Sequence, residues 1–441
     1  MPAVLRTRRG ALAVAAGTAA TALVGCGAAG GGAAPTTVLS GTVTWFAPTD
    51  ATNRPVYERR VADYNRLGRG AAAELVANES GSYTDKLVAA FTAGTAPDVF
   101  YAGSSDIKPW ADKAMLADLG PLFAADRYDL SDWLPRSRAL YDLGGKIYGF
   151  PRSFGVNVLY LNTSLFSRAG VALPSPDWKA RTWTRDDFER AAKALTQAGA
   201  GAPTWGYFNM TGIRLFGGWL AANGGAVLNK DGTAIALTEE PAVEAFQWLQ
   251  DLVHKLQVAP TDGDAAAGGG YLKLFGAGRI GMSVNNGSAN AGTAQAANGF
   301  TYDIRPQPLG KAGIRACGGG GTGWVVAQPT KNRPAAWDFF KYEIDPKNQL
   351  QEQLAGITTT GRKSVVYSPE VLNAAGPPLE KKVFADATDY VVNDPLPRFG
   401  IWADVDAVMA ANLKRLWSGE ATARQVMAAI KREADPLIAP K

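Results

Sequence analysis

The residue types that commonly carry out catalysis are scarce in this chain. One histidine, His254, and two cysteines occur among 441 residues. A single histidine forms neither a histidine-based metal cluster nor a recognisable catalytic triad, so we expect no metal site. Gly318, Gly320 and Gly323 match the glycine spacing of a dinucleotide-binding loop, but they precede a predicted strand instead of opening a helix. We therefore expect no cofactor and no enzymatic activity.

Polar side chains instead follow two of the predicted strands, at the point where each strand ends. Thr49 and Asp50 come after the first strand, and Ser104 and Asp106 come after the third. In open sheets of parallel strands, ligands bind outside the carboxyl ends of the strands. We therefore expect these four residues to contact a ligand.

An alternation of strands and helices must position these side chains. Thr42–Phe46, Glu74–Ala77 and Asp98–Tyr101 are predicted strands, because they are rich in β-branched, aromatic and aliphatic residues. A helix opened by Pro55 separates the first two strands, and a helix over Tyr83–Ala93 separates the second from the third. This order requires parallel strands with helical crossovers, so the sequence predicts an α/β fold. The later predicted elements are strands over Val156–Leu161, Arg279–Val284 and Trp324–Ala327, and helices from Thr184, Glu240 and Pro334 and over Asp404–Trp417 and Thr422–Ile438.

Chain length and charge narrow the class of protein further. A chain of 441 residues exceeds the size at which one hydrophobic core stops growing, so two lobes or domains are expected. Three of the positive charges behind the net charge of +5 lie in the first nine residues, at Arg6, Arg8 and Arg9. No basic stripe follows them, so nucleic acid is not an expected partner. Two cysteines cannot form a disulfide framework, and Cys317 is predicted to be a small buried apolar residue.

The first 37 residues are predicted to be an export signal and a tether. The positive start leads into Gly10–Gly25, an uncharged stretch with the length of a signal-peptide core. Leu23-Val24-Gly25-Cys26 resembles the lipobox of bacterial lipoproteins, in which the cysteine is acylated. We expect a signal peptide over residues 1–26 with acylated Cys26 at the mature N-terminus, and a flexible tether over residues 27–37. The protein would then be exported and lipid-anchored on the outer face of the cytoplasmic membrane. The Thr7-Arg8-Arg9 segment also resembles a twin-arginine signal, and the export route stays open.

Six segments of the folded part follow one another in a recognisable order. They are Tyr83–Val99, Gly145–Pro151, Leu159–Gly170, Thr182–Phe188, Phe275–Met282 and Asn332–Phe340. Together they resemble family 1 extracellular solute-binding proteins, the maltose-binding-protein-like components of ABC importers. The segment Gly145-Lys146-Ile147-Tyr148-Gly149-Phe150-Pro151 is similar to the GKxYGxP sequence of that family.

The resemblance implies a fold and a domain division. The expected fold is the two-lobed, periplasmic-binding-protein-like fold of type II, with the ligand cleft between two α/β lobes. Lobe 1 is expected over residues 38–153 plus 324–366, and lobe 2 over residues 154–323 plus 367–441. The chain would cross between the lobes three times, and a membrane permease would sense their closure on the solute.

The resemblance also implies which side chains bind the ligand. A sugar needs polar groups for its hydroxyls and flat apolar rings for its C–H faces, roles for which Asp50 and Trp324 are the best placed. Asn157 flanks the first crossing. The full set of expected ligand-binding residues is Thr49, Asp50, Ser104, Asp106, Phe154, Tyr207, Asn209, Asn285, Asn286, Trp324, Arg398 and Trp402.

The expected function is that of a monomeric substrate-binding lipoprotein, which captures a mono- or oligosaccharide and delivers it to the permease subunits of an ABC importer. A glycerol phosphate or glycerophosphodiester ligand is an alternative within the same family. A phosphate would favour an arginine in the cleft, and Arg152, Arg362 and Arg398 are available. An exported glycoside hydrolase is an alternative from another class. The sequence does not name the sugar.

Overall fold

In the computed structural model, which describes residues 39–197, 202–210, 213–286, 299–393 and 402–438, strands and helices alternate along the chain. The strands are β1 (Thr42–Pro48), β2 (Ala72–Asn78), β3 (Val99–Gly103), β4 (Asp142–Leu143), β5 (Lys146–Ile147), β6 (Phe150–Asn162), β7 (Trp205–Phe208), β8 (Ile280–Asn286), β9 (Tyr302–Arg305), β10 (Cys317–Val326) and β11 (Val391–Asn393). The helices of the first part are α1 (Arg54–Arg66), α2 (Tyr83–Thr92), α3 (Ile107–Asp112), α4 (Gly120–Ala125), α5 (Pro135–Arg138), α6 (Thr163–Arg168), α7 (Arg185–Leu195), α8 (Ile213–Ala222) and α9 (Glu240–His254). Those that follow are α10 (Asp262–Ala267), α11 (Tyr271–Gly276), α12 (Arg333–Glu343), α13 (Pro346–Leu354), α14 (Lys363–Val366), α15 (Pro369–Leu372), α16 (Lys382–Ala387), α17 (Trp402–Trp417) and α18 (Ala423–Ile438).

The first three strands form the parallel sheet that the sequence predicts. β1 pairs in parallel with β2 on one side and with β3 on the other. The connecting helices begin where local chemistry favours a helix: Pro55 lies in the first turn of α1, and the Ser82 hydroxyl accepts a hydrogen bond from the Asp85 N–H at the start of α2. The carboxyl ends of these strands therefore lie along one edge, and the predicted α/β class is confirmed.

The long strand β6 connects the two halves of the sheet. All but one of its thirteen residues are buried. Its first half pairs antiparallel with β10, and its second half pairs antiparallel with β8 and β9. The resulting strand order is β2-β1-β3-β10-β6-β8-β7, with β11 beside β10 and β9 beside β6. A single continuous strand thus belongs to the sheets of both lobes.

Strand β10 begins seven residues earlier than the sequence predicts. The expected strand started at Trp324, whereas the extended backbone starts at Cys317 and includes the glycine run. Glycine disfavours strands on its own, but here it permits close approach to β6. A β-carbon on Gly321 would lie 2.7 Å from the Ser153 carbonyl oxygen, and one on Gly323 would lie 2.5 Å from that of Phe150. Pairing on both sides overrides the low propensity of this run.

Separate hydrophobic cores fill the two lobes. The first lobe, which contains β1–β3, packs Trp45, Tyr57 and Trp324 against residues of α12. The second lobe, which contains β7–β9, packs apolar residues of α7, α9, α17 and α18 against the second half of β6. A third cluster contains Phe154 and Cys317. The exact boundaries of the two lobes stay a prediction.

Cys317 is buried in the way that the sequence predicts. Its side chain has no exposed surface, and burial raises the pKa of its thiol above the ordinary value. It packs with apolar residues of the third cluster. Cys317 is therefore an apolar packing residue, as expected.

The predicted signal peptide, the tether and Cys26 lie outside the described residues. Within the described ranges, no helix has the length and apolar character needed to span a membrane.

Candidate functional site

Two adjoining cavities open where the crossing strands meet the edge of the parallel strands. The Asp50 cavity has a volume of about 340 Å³, and the Asn286 cavity has a volume of about 260 Å³. Tyr101, Arg152 and Ile357 line both cavities. The Asp50 cavity is also lined by Pro48, Thr49, Asp50, Thr52, Asn53, Tyr57 and Gly356. The Asn286 cavity is also lined by Ser153, Gly155, Asn157, Asn286, Gly319, Gly320, Gly321, Thr322, Thr358 and Thr359.

The turn between β1 and α1 supplies the polar groups of the Asp50 cavity. The Asp50 Oδ1 atom accepts hydrogen bonds from the backbone N–H groups of Thr52, at 2.8 Å, and of Asn53, at 2.9 Å. These bonds fix the turn while the carboxylate remains exposed. The Thr49 hydroxyl is buried and has no hydrogen-bond partner among the described residues. This cavity thus presents a carboxylate and a hydroxyl that can each form further hydrogen bonds with a ligand.

Neutral hydroxyl and amide groups line the Asn286 cavity. The hydroxyls of Ser153 on β6 and Thr322 on β10 lie 2.7 Å apart, where the two crossing strands pair. Asn157 and Asn286 face one another across the pairing of β6 with β8. A β-carbon on Gly155 would lie 2.5 Å from the amide nitrogen of Asn286, so the glycine makes room for this amide.

Arg152 is the charged side chain at the junction of the two cavities. Its Nε atom lies 2.8 Å from Oε2 of Glu352, in an ion pair that is not aligned as a hydrogen bond. Its guanidinium carbon lies 5.7 Å from the ring centroid of Tyr57 and 5.8 Å from that of Trp324. Aromatic faces attract a cation at such distances. The carboxylate and the two rings together hold the guanidinium in place.

A buried ionic cluster, formed by Arg60, Arg152, Glu343 and Glu352, lies behind this junction. The Arg60 Nη1 atom donates to Glu352 at 2.6 Å and to Glu343 at 3.0 Å. Burial raises the pKa of Glu343 to about 7, in spite of the neighbouring Arg60. Burial disfavours the charged form of Arg152, but Glu352, Tyr57 and Tyr101 together outweigh this effect, and the pKa of the guanidinium is raised.

Tyr101 is the ring that both cavities share. It lies near the carboxyl end of β3 and is only partly buried. Its ring packs edge-on against Trp324, with centroids 6.2 Å apart, and against Tyr83, with centroids 5.7 Å apart. A fixed aromatic ring of this kind can cover the apolar face of a ligand. Sequence reasoning missed Tyr101, although its place just before Ser104 obeys the same strand-end rule.

Trp324 lies in the core of the first lobe instead of lining the cleft. It is 1% exposed and packs against Trp45, with ring centroids 5.0 Å apart, and against Tyr57, at 6.0 Å. The prediction that it borders the cleft is corrected: Trp324 supports Tyr101 and Arg152 from behind. Side chains alternate along a strand, and this register turns the indole inward.

Two more of the expected aromatic residues are buried in cores. Phe154 has no exposed surface and belongs to the cluster that contains Cys317. Tyr207 lies on strand β7 and packs edge-on against Phe188, with ring centroids 5.2 Å apart. Neither side chain lines either cavity. In both positions an apolar environment is available, and burial of a large ring is favoured over exposure.

The expected polar residues divide between lining and supporting positions. Thr49, Asp50 and Asn286 line the cavities, as does Asn157. The buried Asn285 accepts a hydrogen bond from the Asn286 N–H at 2.9 Å. The positions that line neither cavity are Ser104, Asp106, Asn209 and Asn285.

Ser104 and Asp106 have local roles in the turn after β3. The Ser104 N–H donates to the Gly321 carbonyl at 2.9 Å, and the Asp106 carboxylate accepts from the Gly103 N–H at 2.8 Å. Both contacts shape the turn beside the cleft. The strand-end rule therefore located the edge of the sheet where the cavities open but did not separate lining residues from turn residues.

The three arginines considered for a phosphate have different environments. Arg152 lines both cavities, whereas Arg362 is buried in the first lobe, 2.8 Å from the Asp132 carboxylate. Arg398 lies outside the described residues, as does the side chain of Trp402 at the start of α17. Among the described residues, no group of three or more histidine, cysteine or acidic side chains could hold a metal ion.

The loop after α13 supplies a wall of the site that sequence reasoning missed. Ile357, Thr358 and Thr359 line the Asn286 cavity, and the Thr359 carbonyl accepts a hydrogen bond from the Phe154 N–H at 2.7 Å. The only signal in the sequence is the run of three threonines in a segment without predicted structure.

A relative and two solved structures resemble the chain. It is 27% identical over 238 residues to an arabinooligosaccharide-binding protein of Bacillus subtilis, a match that covers 52% of this chain and 50% of the relative. The chain thus spans about half the length of the curated relatives that it matches. An ABC substrate-binding protein of Listeria monocytogenes, solved with cycloalternan, superposes with a TM-score of 0.79 at 22% identity, covering 91% of this chain and 100% of that one. The GacH receptor of Streptomyces glaucescens, solved unliganded and with acarbose, gives a TM-score of 0.75 at 24% identity, covering 91% and 99%.

These two structural likenesses confirm the predicted two-lobed fold. The family model described as bacterial extracellular solute-binding protein matches residues 45–350, which include the lining residues of both cavities except those of the loop after α13. The chain therefore belongs to the family of bacterial extracellular solute-binding proteins.

Proposed function

We propose that this protein captures a carbohydrate in the two adjoining cavities and delivers it to the permease of an ABC importer. The observation that carries the proposal is the partly buried ring of Tyr101, which borders both cavities beside a row of carboxylate, hydroxyl and amide groups. A sugar offers an apolar face to such a ring and hydroxyls to such a row. The ligand of the Bacillus subtilis relative, an arabinooligosaccharide, supports this class of solute.

The polar groups match the needs of sugar hydroxyls. A hydroxyl that leaves water must find both a donor and an acceptor, because an unpaired buried polar group costs about 1–3 kcal/mol. The Asp50 carboxylate can accept, and the Thr49 hydroxyl has no protein partner among the described residues. Asn157 and Asn286 carry side-chain amides, each with both donor and acceptor atoms.

The two lobes would close on the solute about the crossing strands. β6 and β10 pair with one another and extend toward both lobes. Contacts from both sides of the cleft favour the closed state, because a ligand shifts a conformational equilibrium toward the state that it contacts more extensively.

The place of action and the absence of catalysis complete the proposal. An extracellular family implies export. We further propose a lipid anchor at Cys26, a monomeric state, and binding without turnover. The alternatives are a glycerophosphodiester ligand and, from another class, a glycoside hydrolase.

Calorimetric titration with neutral oligosaccharides tests the proposal. Arabinotriose, maltotriose and mannotriose should be compared, with sugar analysis after incubation to detect hydrolysis. Tyr101→Ala should weaken binding of the best ligand at least tenfold, about 1.4 kcal/mol, because the stacking face is lost. Tyr367→Ala, at an exposed tyrosine that lines neither cavity, is the matched control. Cleaved sugar, or equal affinity in the Tyr101 variant, would contradict the proposal.

A further inference from the structure

We infer that the captured carbohydrate carries a negatively charged group, a carboxylate or a phosphate, which pairs with Arg152 where the two cavities meet. This inference rests on the proposed function and specifies its class of ligand. In this inference, each of the two cavities binds a different part of one solute. The neutral hydroxyls lie in the Asp50 cavity, and the anionic group faces the Asn286 cavity.

The Asp50 cavity is lined by one cation and one carboxylate, whereas the described lining of the Asn286 cavity carries the cation alone. Among the described lining residues, Arg152 is the one cation and Asp50 is the one carboxylate. Asp50 belongs to the Asp50 cavity alone, so the described lining of the Asn286 cavity contains a guanidinium and no carboxylate. An acidic group enters that cavity without repulsion from its wall.

The balance of donors and acceptors in the Asn286 cavity points the same way. A neutral sugar brings hydroxyl protons, which need acceptors, and the strongest acceptors in proteins are carboxylates. The guanidinium of Arg152 has only donors. The other lining side chains with polar atoms are hydroxyls and amides, such as Ser153, Thr322 and Asn286. A carboxylate or phosphate, which has only acceptors, complements this wall better than a hydroxyl does.

The guanidinium of Arg152 is held so that its terminal nitrogens stay available. The ion pair with Glu352 is made through Nε, at 2.8 Å. Neither terminal nitrogen donates a hydrogen bond to another described residue. The rings of Tyr57 and Trp324 fix the position of the planar group. A planar fork with two adjacent N–H donors is the geometry that binds a carboxylate or phosphate through two oxygens.

Glu352 does not neutralise this fork, because it is shared. The other oxygen of the same carboxylate accepts a hydrogen bond at 2.6 Å from Arg60, which lines neither cavity. Glu343, the second acid of the cluster, lines neither cavity and has a pKa raised to about 7 by burial. Near neutral pH the cluster of two arginines and two glutamates therefore holds less than its full negative charge.

Matched charged and uncharged ligands test the inference by calorimetric titration. The probes are trigalacturonate, its fully methyl-esterified form, the neutral trisaccharide that binds best and the phosphate monoester of that trisaccharide. The ester removes the charge with little change in shape. We expect the charged form of a matched pair to bind at least tenfold more tightly than the uncharged form, and its affinity to fall with ionic strength. Preference for trigalacturonate over its ester identifies a carboxylate, and preference for the phosphorylated trisaccharide over the unmodified one identifies a phosphate.

Arg152 variants supply the second arm of the test. Arg152→Gln should remove the preference for charge, and Arg152→Lys should retain part of it, because the charge persists without the fork. The pair Arg152→Gln with Glu352→Gln removes both charges and guards against simple unfolding, which apo melting monitors. Arg168→Gln, at an exposed arginine outside both cavities, is the control.

The possible outcomes separate failure of this inference from failure of the proposed function. Neutral probes that bind as well as charged ones, or a charge preference that survives in folded Arg152→Gln protein, would overturn the inference and leave the proposed function intact. Failure of every carbohydrate, charged or neutral, to bind would overturn both.

Discussion

Two buried ionic groups of this protein differ in how well their polar atoms are satisfied. The pair of Asp303 and Arg305, on β9, is completed by backbone: the Asp303 Oδ1 atom accepts from the N–H groups of Ile304, Leu379 and Glu380, and Arg305 donates to two carbonyls. The cluster behind the cleft leaves Nε of Arg60 and Oε1 of Glu343 buried without a hydrogen bond to any described residue. The first group stabilises a fold. The second leaves buried polar atoms unpaired, which is costly, and its Arg152 lines the cavities.

Removal of Arg60 from the buried ionic cluster should have the largest effect on the free energy of unfolding. Arg60→Met leaves Glu343 buried without its partner, so the free energy of unfolding should fall by about 3–5 kcal/mol. Adding Glu343→Leu to the same chain should recover most of that loss, because the uncompensated charge is gone. Chemical denaturation measures both values.

Arg66→Met is the matched control for this experiment. Arg66 lies on the same helix, α1, in an exposed pair with Asp63, and its replacement should change stability by no more than about 0.5 kcal/mol. A double variant as unstable as Arg60→Met would show that the cluster contributes stability of its own, and the comparison with Asp303 and Arg305 would then fail.

The second-largest effect is expected in the pH dependence of stability, through Glu343. Burial raises the pKa of Glu343 to about 7 from 4.5, so between those values the folded protein binds more protons than the unfolded chain. Stability contributed by Glu343 is therefore lost as pH rises through this window, by up to about 3 kcal/mol. Glu343→Gln should remove this slope. Melting curves of both proteins across the window give the measurement, and identical slopes would refute the assignment to Glu343.

The smallest change in stability is expected on substitution of Asp303 in its pair with Arg305. Asp303→Asn keeps an oxygen for the backbone N–H groups but loses the charge opposite Arg305, so it should cost about 1–2 kcal/mol. The apolar replacement Asp303→Leu with Arg305→Met should cost more than this single change, because it leaves the N–H groups of Leu379 and Glu380 without acceptors. Here the double variant costs more than the single one, whereas for Arg60 and Glu343 the single variant is expected to cost more. Denaturation of the two variants distinguishes the cases.

Local chemistry made part of this fold predictable. The proline that opens α1 and the threonine that caps α7, Thr184, mark helix starts that the structure confirms. The extent of β10 was wrong by seven residues, because its glycines are extended through pairing with strands distant in sequence. A propensity argument covers neighbours along the chain and cannot include such partners.

The candidate site was predictable to a similar degree. Asp50 and Thr49 follow from the strand-end rule, which requires only the order of elements. The position of Trp324 was missed because one register step decides whether an indole faces the core or the cavity. Arg152 depends on Glu352, two hundred residues away, and no local pattern indicates that pairing.

The burial of Cys317 has a practical consequence. Its thiol has no exposed surface, so a thiol reagent does not reach it while the protein is folded. A cysteine introduced at the exposed Thr52, on the rim of the Asp50 cavity, would be the one accessible thiol among the described residues. An environment-sensitive fluorophore attached there, in a chain that starts after the tether, would report solute capture as a change in emission. Because Cys317, the one thiol among the described residues, is buried, the protein is a suitable scaffold for an optical sensor.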